Sequence, residues 1–206
     1  PDHPFYAYVR RLISSVEPEV LKTAAVNFFI NETMVGGPRQ EKLRKKYRCN
    51  IPWAILLDPT SACNLHCTGC WAAEYGSSLN LSFEEIDDII RQGKELGVYL
   101  YIYTGGEPLV RKKDIIRLCE KHDDCVFLCF TNGTLIDEAF AEDMLRVRNF
   151  VPAISLEGMR EATDSRRGEG TFGQVIRAMD LLHQKRLIYG ISSCYTSANY
   201  DSITSE

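Results

Sequence analysis

From residue 51 onward, short apolar runs alternate with longer stretches of helical period. Ala54-Ile55-Leu56-Leu57 is bounded by turn residues and predicts a buried strand. The stretch at about 82–96 carries Phe83, Ile86, Ile89 and Ile90 on one face, a Ser82/Glu85 capping box ahead of it and Gly97 as a stop. Val98 to Tyr103 predicts a second strand. A helix through Ile115, Ile116 and Leu118 leads to a third, Val126 to Phe130, and a helix through Phe140, Met144 and Leu145 leads to a fourth, Val151 to Leu156. Thr171 and Gln174 are read as the cap of a helix with Phe172, Val175, Ile176, Met179 and Leu182 on one face, and a fifth strand falls near Ile188 to Tyr195. Strands alternating with helices predict βαβ units and a parallel α/β sheet. An open sheet and a partial barrel both satisfy the pattern, and both place a site at the C-terminal ends of the strands.

The first forty-eight residues have a different rhythm and read as helical. Tyr8, Leu12, Ile13 and Val16 recur at helical spacing. Pro18 opens a second helix with Val20, Leu21, Ala24, Ala25, Phe28 and Phe29 as its apolar face, and Gly36-Gly37-Pro38 ends it. The expected organisation is a helical extension over 1–48 and a core over 49–206. Tyr99, Tyr101 and Tyr103 alternate as in a strand with one face toward a cavity, where they pack or line the site.

Composition narrows the class. The 206 residues are 45% apolar and 25% charged, enough for one domain with its own core. The net charge of −4 argues against general nucleic-acid binding. Charge is uneven: residues 1–50 hold nine Lys and Arg against five Asp and Glu, densest at Lys42, Arg44, Lys45, Lys46 and Arg48. That run reads first as solvated linker, with an anionic substrate or membrane surface as the alternative. No run reaches the roughly 18 apolar residues of a membrane span, and residues 1–30 lack a signal-peptide pattern. Of the eight cysteines, Cys119, Cys125, Cys129 and Cys194 lie in or beside apolar runs and read as small buried hydrophobes. A reducing cytoplasm is expected.

Three of the remaining four cysteines carry the chemistry. After the first strand stands Cys63-Asn64-Leu65-His66-Cys67-Thr68-Gly69-Cys70-Trp71. Three thiolates on one loop, with no fourth nearby, leave one iron of a [4Fe–4S] cluster open for another ligand. A structural zinc site with His66 or a distant ligand, and chance clustering of core cysteines, are the competing readings. Zinc ribbons show two separated pairs, and this polar loop is no core segment. His66 reads as local support, and His3, His122 and His183 sit singly with no partner pattern.

The Cys-x3-Cys-x2-Cys motif followed by an aromatic residue, placed after a first strand, resembles the radical S-adenosylmethionine superfamily. The resemblance covers roughly residues 51–200. It implies a [4Fe–4S] cluster on Cys63, Cys67 and Cys70 and S-adenosylmethionine on the open iron. It further implies reductive cleavage to a 5′-deoxyadenosyl radical that takes hydrogen from substrate, and a flavodoxin- or ferredoxin-like electron donor. Its core is a six-stranded partial (β/α) barrel. With five strands countable, the chain is expected to lack the sixth and any C-terminal domain. The helical leader resembles that of enzymes acting on peptides, tetrapyrroles or lipid-like molecules.

Further loops fit the resemblance. Thr104-Gly105-Gly106-Glu107-Pro108 follows the second strand. Two glycines let backbone approach a ligand, Glu107 accepts from an ammonium group, and the segment resembles the family's motif for the S-adenosylmethionine amino group. Thr131 and Asn132 begin a Thr-Asn-Gly found near the cofactor in similar enzymes, though Asn-Gly is equally a plain turn. Ser155, Glu157 and Arg167 resemble a Ser-x-Asp-Gly segment with a downstream Arg-Gly that contacts the methionyl end. Here Glu157 replaces the usual Asp, and Arg166 is an adjacent competitor for Arg167. Trp71 joins this cofactor set as the aromatic residue after the motif. Ser193, Cys194, Thr196 and Asn199 are open between ribose or adenine contact and packing. A non-catalytic iron–sulfur electron carrier and a zinc-stabilised interaction module are the alternatives from other classes. The carrier has no use for the Gly-Gly-Glu-Pro, Ser155 and Arg167 loops.

Overall fold

Five parallel strands pair in chain order: β1 Ala54–Leu57, β2 Leu100–Tyr103, β3 Val126–Thr131, β4 Phe150–Ser155 and β5 Gly190–Ser192. The computed structural model describes residues 3–197 and 199–204, and the Tyr8 side chain lies outside this set. Helices α4 Phe83–Leu96, α5 Lys112–Lys121, α6 Glu138–Val147, and α7 Arg160–Arg167 with α8 Thr171–Gln184 form the successive crossovers. Sequential order with no reversal is the order of a curling barrel wall, whereas a doubly wound sheet reverses direction at its middle. The sheet is unclosed, as in a partial barrel.

The two faces differ. Tyr101, Tyr103, Phe127 and Ile154 point to the helices and are fully buried. Tyr103 and Phe127 stack at 5.6 Å between ring centroids, and each such buried side chain contributes about 1.5–3 kcal/mol. On the concave face, Leu56 is 60% exposed and Phe130 38%. The tyrosines therefore do not line the site. The Tyr101 hydroxyl donates to the Ile90 carbonyl at 2.9 Å and the Val98 carbonyl at 3.1 Å, under α4. Alternation fixes that Tyr101 and Tyr103 share a face without fixing which face the helices cover.

Helix α1 Pro4–Ser15 precedes a continuous run made of α2 Pro18–Ala25, a π-helical stretch Val26–Gly36 and α3 Gly37–Tyr47. The expected break at Gly36-Gly37-Pro38 is absent. Gly36 and Gly37 are right-handed helical, and Pro38 sits in the first turn of α3, where its missing N–H costs nothing. The π stretch presents a polar row to the protein. Asn27 donates to the Asp123 and Cys125 carbonyls at 2.7 and 2.9 Å, and Asn31 to the Asp124 carbonyl at 2.9 Å. Glu32 accepts from the Tyr99 amide at 2.6 Å, and Gln40 donates to the Gly97 carbonyl at 2.7 Å. These partners are backbone groups just before β2 and β3, so the run lies across the N-terminal ends of the strands. Phe28 and Phe29 consequently face outward instead of forming a buried face.

Other expectations are corrected. The N-cap of α8 is Gly170, without a side-chain cap. Thr171 is already helical, and the Phe172 amide donates to Asp164 at 2.7 Å. His122 is not solitary: its Nε2 lies 2.9 Å from Asp87 of α4. Cys119, Cys125 and Cys129 are buried, whereas Cys194 is exposed because β5 ends before it. Arg166 and Arg167 stand in the last turn of α7, a helix that the apolar periodicity does not predict.

Candidate functional site

The loops at the C-terminal ends of β1 to β5 are hydrogen-bonded to one another, and the cysteine loop is at their centre. Its stem is sewn to the loop after β2. The Gly106 amide donates to the Thr60 carbonyl at 2.9 Å and the Glu107 amide to the Ala62 carbonyl at 2.8 Å. Gly105 has φ +104, where a side chain is strained, and a Cβ on Gly106 would overlap the Ala62 and Ser61 carbonyl oxygens. The glycines thus admit the cysteine-loop stem itself. Gly106→Ala is expected to push that stem away and cut iron retained after anaerobic reconstitution several-fold. Unchanged iron content per chain would refute the close-packing argument.

All three thiols are free; Cys63 is exposed, Cys67 and Cys70 half-buried. The Cys63 sulfur accepts from the Leu65 amide at 3.4 Å. Burial pushes both the Cys63 and Cys67 thiols up; nearby thiolate charge adds to this at each, while Arg167 opposes it at Cys67. Gly69, at φ +71, makes the turn between Cys67 and Cys70. Among the described residues no group of three or more His, Cys, Asp or Glu side chains is arranged for a single metal ion. Three accessible thiols of this kind suit a [4Fe–4S] cluster, which offers a separate iron to each.

Glu107 is buried and its oxygens already accept three protein donors: the Leu109 amide at 2.9 Å, Thr131 Oγ1 at 2.7 Å and the Asn132 amide at 2.7 Å. Burial pushes its carboxyl above the usual range, against these bonds and the Arg167 charge. The side chain ties the loop after β2 to the loop after β3. Asn132 carries the connection onward: its Nδ2 donates to Asn64 Oδ1 at 2.8 Å, and Asn64 Nδ2 donates to Thr134 Oγ1 at 2.8 Å. Asn64 lies between Cys63 and Cys67, and only its place inside the cysteine loop marked it in the sequence. Pro108 opens a short 3-10 turn, Pro108–Arg111, capped by Glu107.

Glu157, after β4, is fully buried and pairs with both neighbouring arginines. Arg166 and Arg167 both reach the same carboxylate oxygen of Glu157. Glu157 also accepts from the Cys194 amide at 2.9 Å. Arg167 Nη1 lies 4.0 Å from the Cys67 sulfur, and the Thr68 amide donates to the Arg166 carbonyl at 2.8 Å. The C-terminal end of α7 is therefore braced against the cysteine loop. Ser155 is half-buried at the end of β4. Ser193 donates to the Leu156 carbonyl at 2.5 Å, and Asn199 to the Glu157 and Cys194 carbonyls at 3.2 and 3.1 Å, so both tie β5 to this loop.

A cavity of about 600 Å³ opens beside the loop, lined among others by Leu56, Asp58, Trp71, Tyr75, Leu79 and Gly105. Trp71 begins a 3-10 turn, Trp71–Tyr75, and is exposed. Burial pushes the Asp58 carboxyl up. The cavity is of ordinary small-molecule size and largely apolar-walled.

The model of the radical SAM superfamily matches residues 57–197. A serine-type anaerobic sulfatase-maturating enzyme from Klebsiella aerogenes is 27% identical over 196 residues, covering 81% of this chain and 47% of its own length. An Fe-coproporphyrin III synthase from Methanosarcina barkeri is 29% identical over 154 residues, covering 72% and 38%. The structure described as native anSMEcpe with bound AdoMet and Cp18Cys peptide superposes with a TM-score of 0.57 at 27% identity, covering 67% of this chain and 42% of that one. The chain spans between about a third and a half of the length of these curated relatives.

Proposed function

This chain belongs to the radical S-adenosylmethionine superfamily, and on that premise we propose that it is the catalytic core of an enzyme using a [4Fe–4S] cluster and S-adenosylmethionine on a peptide side chain. The observation that supports this best is the set of three free thiols on one loop, held on one side by Glu107 and Asn132 and on the other by Arg166 and Arg167. A reduced [4Fe–4S] cluster held by Cys63, Cys67 and Cys70 would supply one electron for reductive cleavage of the carbon–sulfur bond of S-adenosylmethionine, the products being methionine and a 5′-deoxyadenosyl radical able to take a hydrogen atom from substrate.

The chain's own residues hold and orient. Cys63, Cys67 and Cys70 supply the thiolates. The Gly105-Gly106-Glu107-Pro108 turn, Thr131, Asn132 and Ser155 form the rim for the methionyl part, with the Arg167 guanidinium suited to its carboxylate. Glu107 and Glu157 act as positioning residues, since protein donors already occupy their oxygens. Trp71 offers a ring beside the cavity, and the open concave face of the sheet leaves room for an extended substrate. A peptide is favoured over a tetrapyrrole by the sulfatase-maturating relative and the peptide-bound neighbour. The electron comes from a flavodoxin- or ferredoxin-like donor in a reducing cytoplasm.

The test is anaerobic reconstitution with iron and sulfide, chemical reduction and addition of S-adenosylmethionine. Formation of 5′-deoxyadenosine in proportion to cluster content is the expected result. A brown protein that binds S-adenosylmethionine without cleaving it refutes catalysis by this core, and a colourless protein that retains zinc refutes the cluster.

A further inference from the structure

From the π stretch onward, the long helix at the opposite end of the sheet has its amphipathicity inverted, whereas α2 before it buries Val20 in the core. A helix packed on a core normally buries its apolar stripe and shows its polar face to water. From Val26 to Tyr47 the buried positions are Asn27, Glu32, Gly36 and Gln40; Asn27, Glu32 and Gln40 are hydrogen-bonded to the ends of β2 and β3 as described above, and Gly36 lies against the Gly97 carbonyl. The outward positions of the π stretch are Val26, Phe28, Phe29, Ile30, Met34 and Val35, with Phe29 59% and Met34 65% exposed. Phe28 and Phe29 pack edge to face on each other at 5.3 Å between centroids. Scattered exposed apolar side chains are ordinary, but a contiguous patch on one element marks an interaction surface.

The charge beside this patch says what the surface fits. The same helix continues without a break into α3, which carries Arg39, Lys42, Arg44, Lys45, Lys46 and Arg48 in the chain's basic region. Glu41 pairs with Arg44 and Lys45, whereas among the described residues Arg39, Lys42, Lys46 and Arg48 make no ion pair. Residues beyond 50 carry a net −8, so the basic run is a local feature of this helix and not of the whole surface. Aromatic and aliphatic side chains flanked by unpaired lysines and arginines form the pattern of a helix lying in the headgroup region of an anionic bilayer. No helix among the described residues is long and apolar enough to cross one.

We propose that the face formed by Val26–Gly36 and α3 docks this protein peripherally on an anionic phospholipid surface. Docked this way, the N-terminal ends of the strands face the lipid and the cysteine loop faces water, so substrate reaches the site from the aqueous side.

The test is flotation of the reconstituted protein with vesicles of phosphatidylcholine alone and of phosphatidylcholine with phosphatidylglycerol, together with sedimentation equilibrium in the absence of lipid. The expected result is flotation only with phosphatidylglycerol vesicles. Lys42→Gln and Lys46→Gln should each weaken it about fivefold, and Phe29→Ser with Met34→Ser should abolish it while iron content is unchanged. Absence of flotation with either vesicle overturns the proposal. So does a dimer that Phe29→Ser and Met34→Ser dissociate while flotation is unaffected, because the patch then serves a second copy of the chain.

Discussion

Cys67→Ala protein is expected to fold, yet to leave anaerobic reconstitution without a stable cluster and to form no 5′-deoxyadenosine. The same holds for Cys63→Ala and Cys70→Ala. Loss of a supporting residue around a metal site costs about 10–100-fold in affinity, and loss of one of three protein ligands should exceed that, so a drop of more than about a hundredfold is anticipated. The loop is partly exposed, so thermal stability without iron should shift within the ordinary surface range, about 0.5 kcal/mol. Cys119→Ser and Cys125→Ser are the counterparts. These thiols are fully buried and burial pushes both up. Their replacement should lower the melting temperature and leave iron per folded chain unchanged. Iron loss in Cys125→Ser, or retention in Cys67→Ala, would overturn the ligand assignment.

Glu157→Ala should be the most damaging change outside the cysteines. The side chain is fully enclosed, and its removal leaves the Arg166 and Arg167 guanidinium groups, both largely buried, without their shared counter-charge. Breaking a buried pair from one side costs about 3–5 kcal/mol, and the Cys194 amide loses its acceptor as well. Because Arg167 stands against the Cys67 sulfur and the Arg166 carbonyl takes the Thr68 amide, the damage should reach the cysteine loop. The expected outcome is a lower melting temperature together with a changed electron paramagnetic resonance signal of the reduced cluster. Glu157→Gln keeps the shape but not the counter-charge, and its amide NH2 takes the place of one acceptor oxygen, so it should restore only part of the stability and none of the signal. A purely structural role would restore both together.

Much of the wall of the fold was legible because its signals are local. Short apolar runs between Gly97, Asn132 and similar punctuation give the strands, and Ser82 with Glu85 forms the capping box read for α4. What escaped the sequence is tertiary. Gly36-Gly37-Pro38 is a stop by composition, but Gly36 also permits close approach to the Gly97 carbonyl, and a polar row at π-helical spacing finds orphaned backbone groups to satisfy. Helical spacing placed Phe28 and Phe29 inside because it assumes that a helix buries its greasiest face. At the site, the motif loops stood out individually. Their mutual wiring through Asn64, Asn132, Thr131 and the Glu157 pair of arginines did not, since the partners lie up to about a hundred positions apart.

The placement of the two tryptophans has an optical consequence. Trp53 stands immediately before β1 and Trp71 immediately after Cys70, so the short strand separates two indoles at opposite ends of the sheet, both exposed. An iron–sulfur chromophore absorbs where indole emits, so Trp71 fluorescence is positioned to be quenched by energy transfer as iron is incorporated. Trp53 stands at the N-terminal end of β1, the end away from the Cys63–Cys70 loop. The chain thus carries its own emission gauge of loading, and a Trp53→Phe chain would report cluster assembly and decay in real time from a single indole.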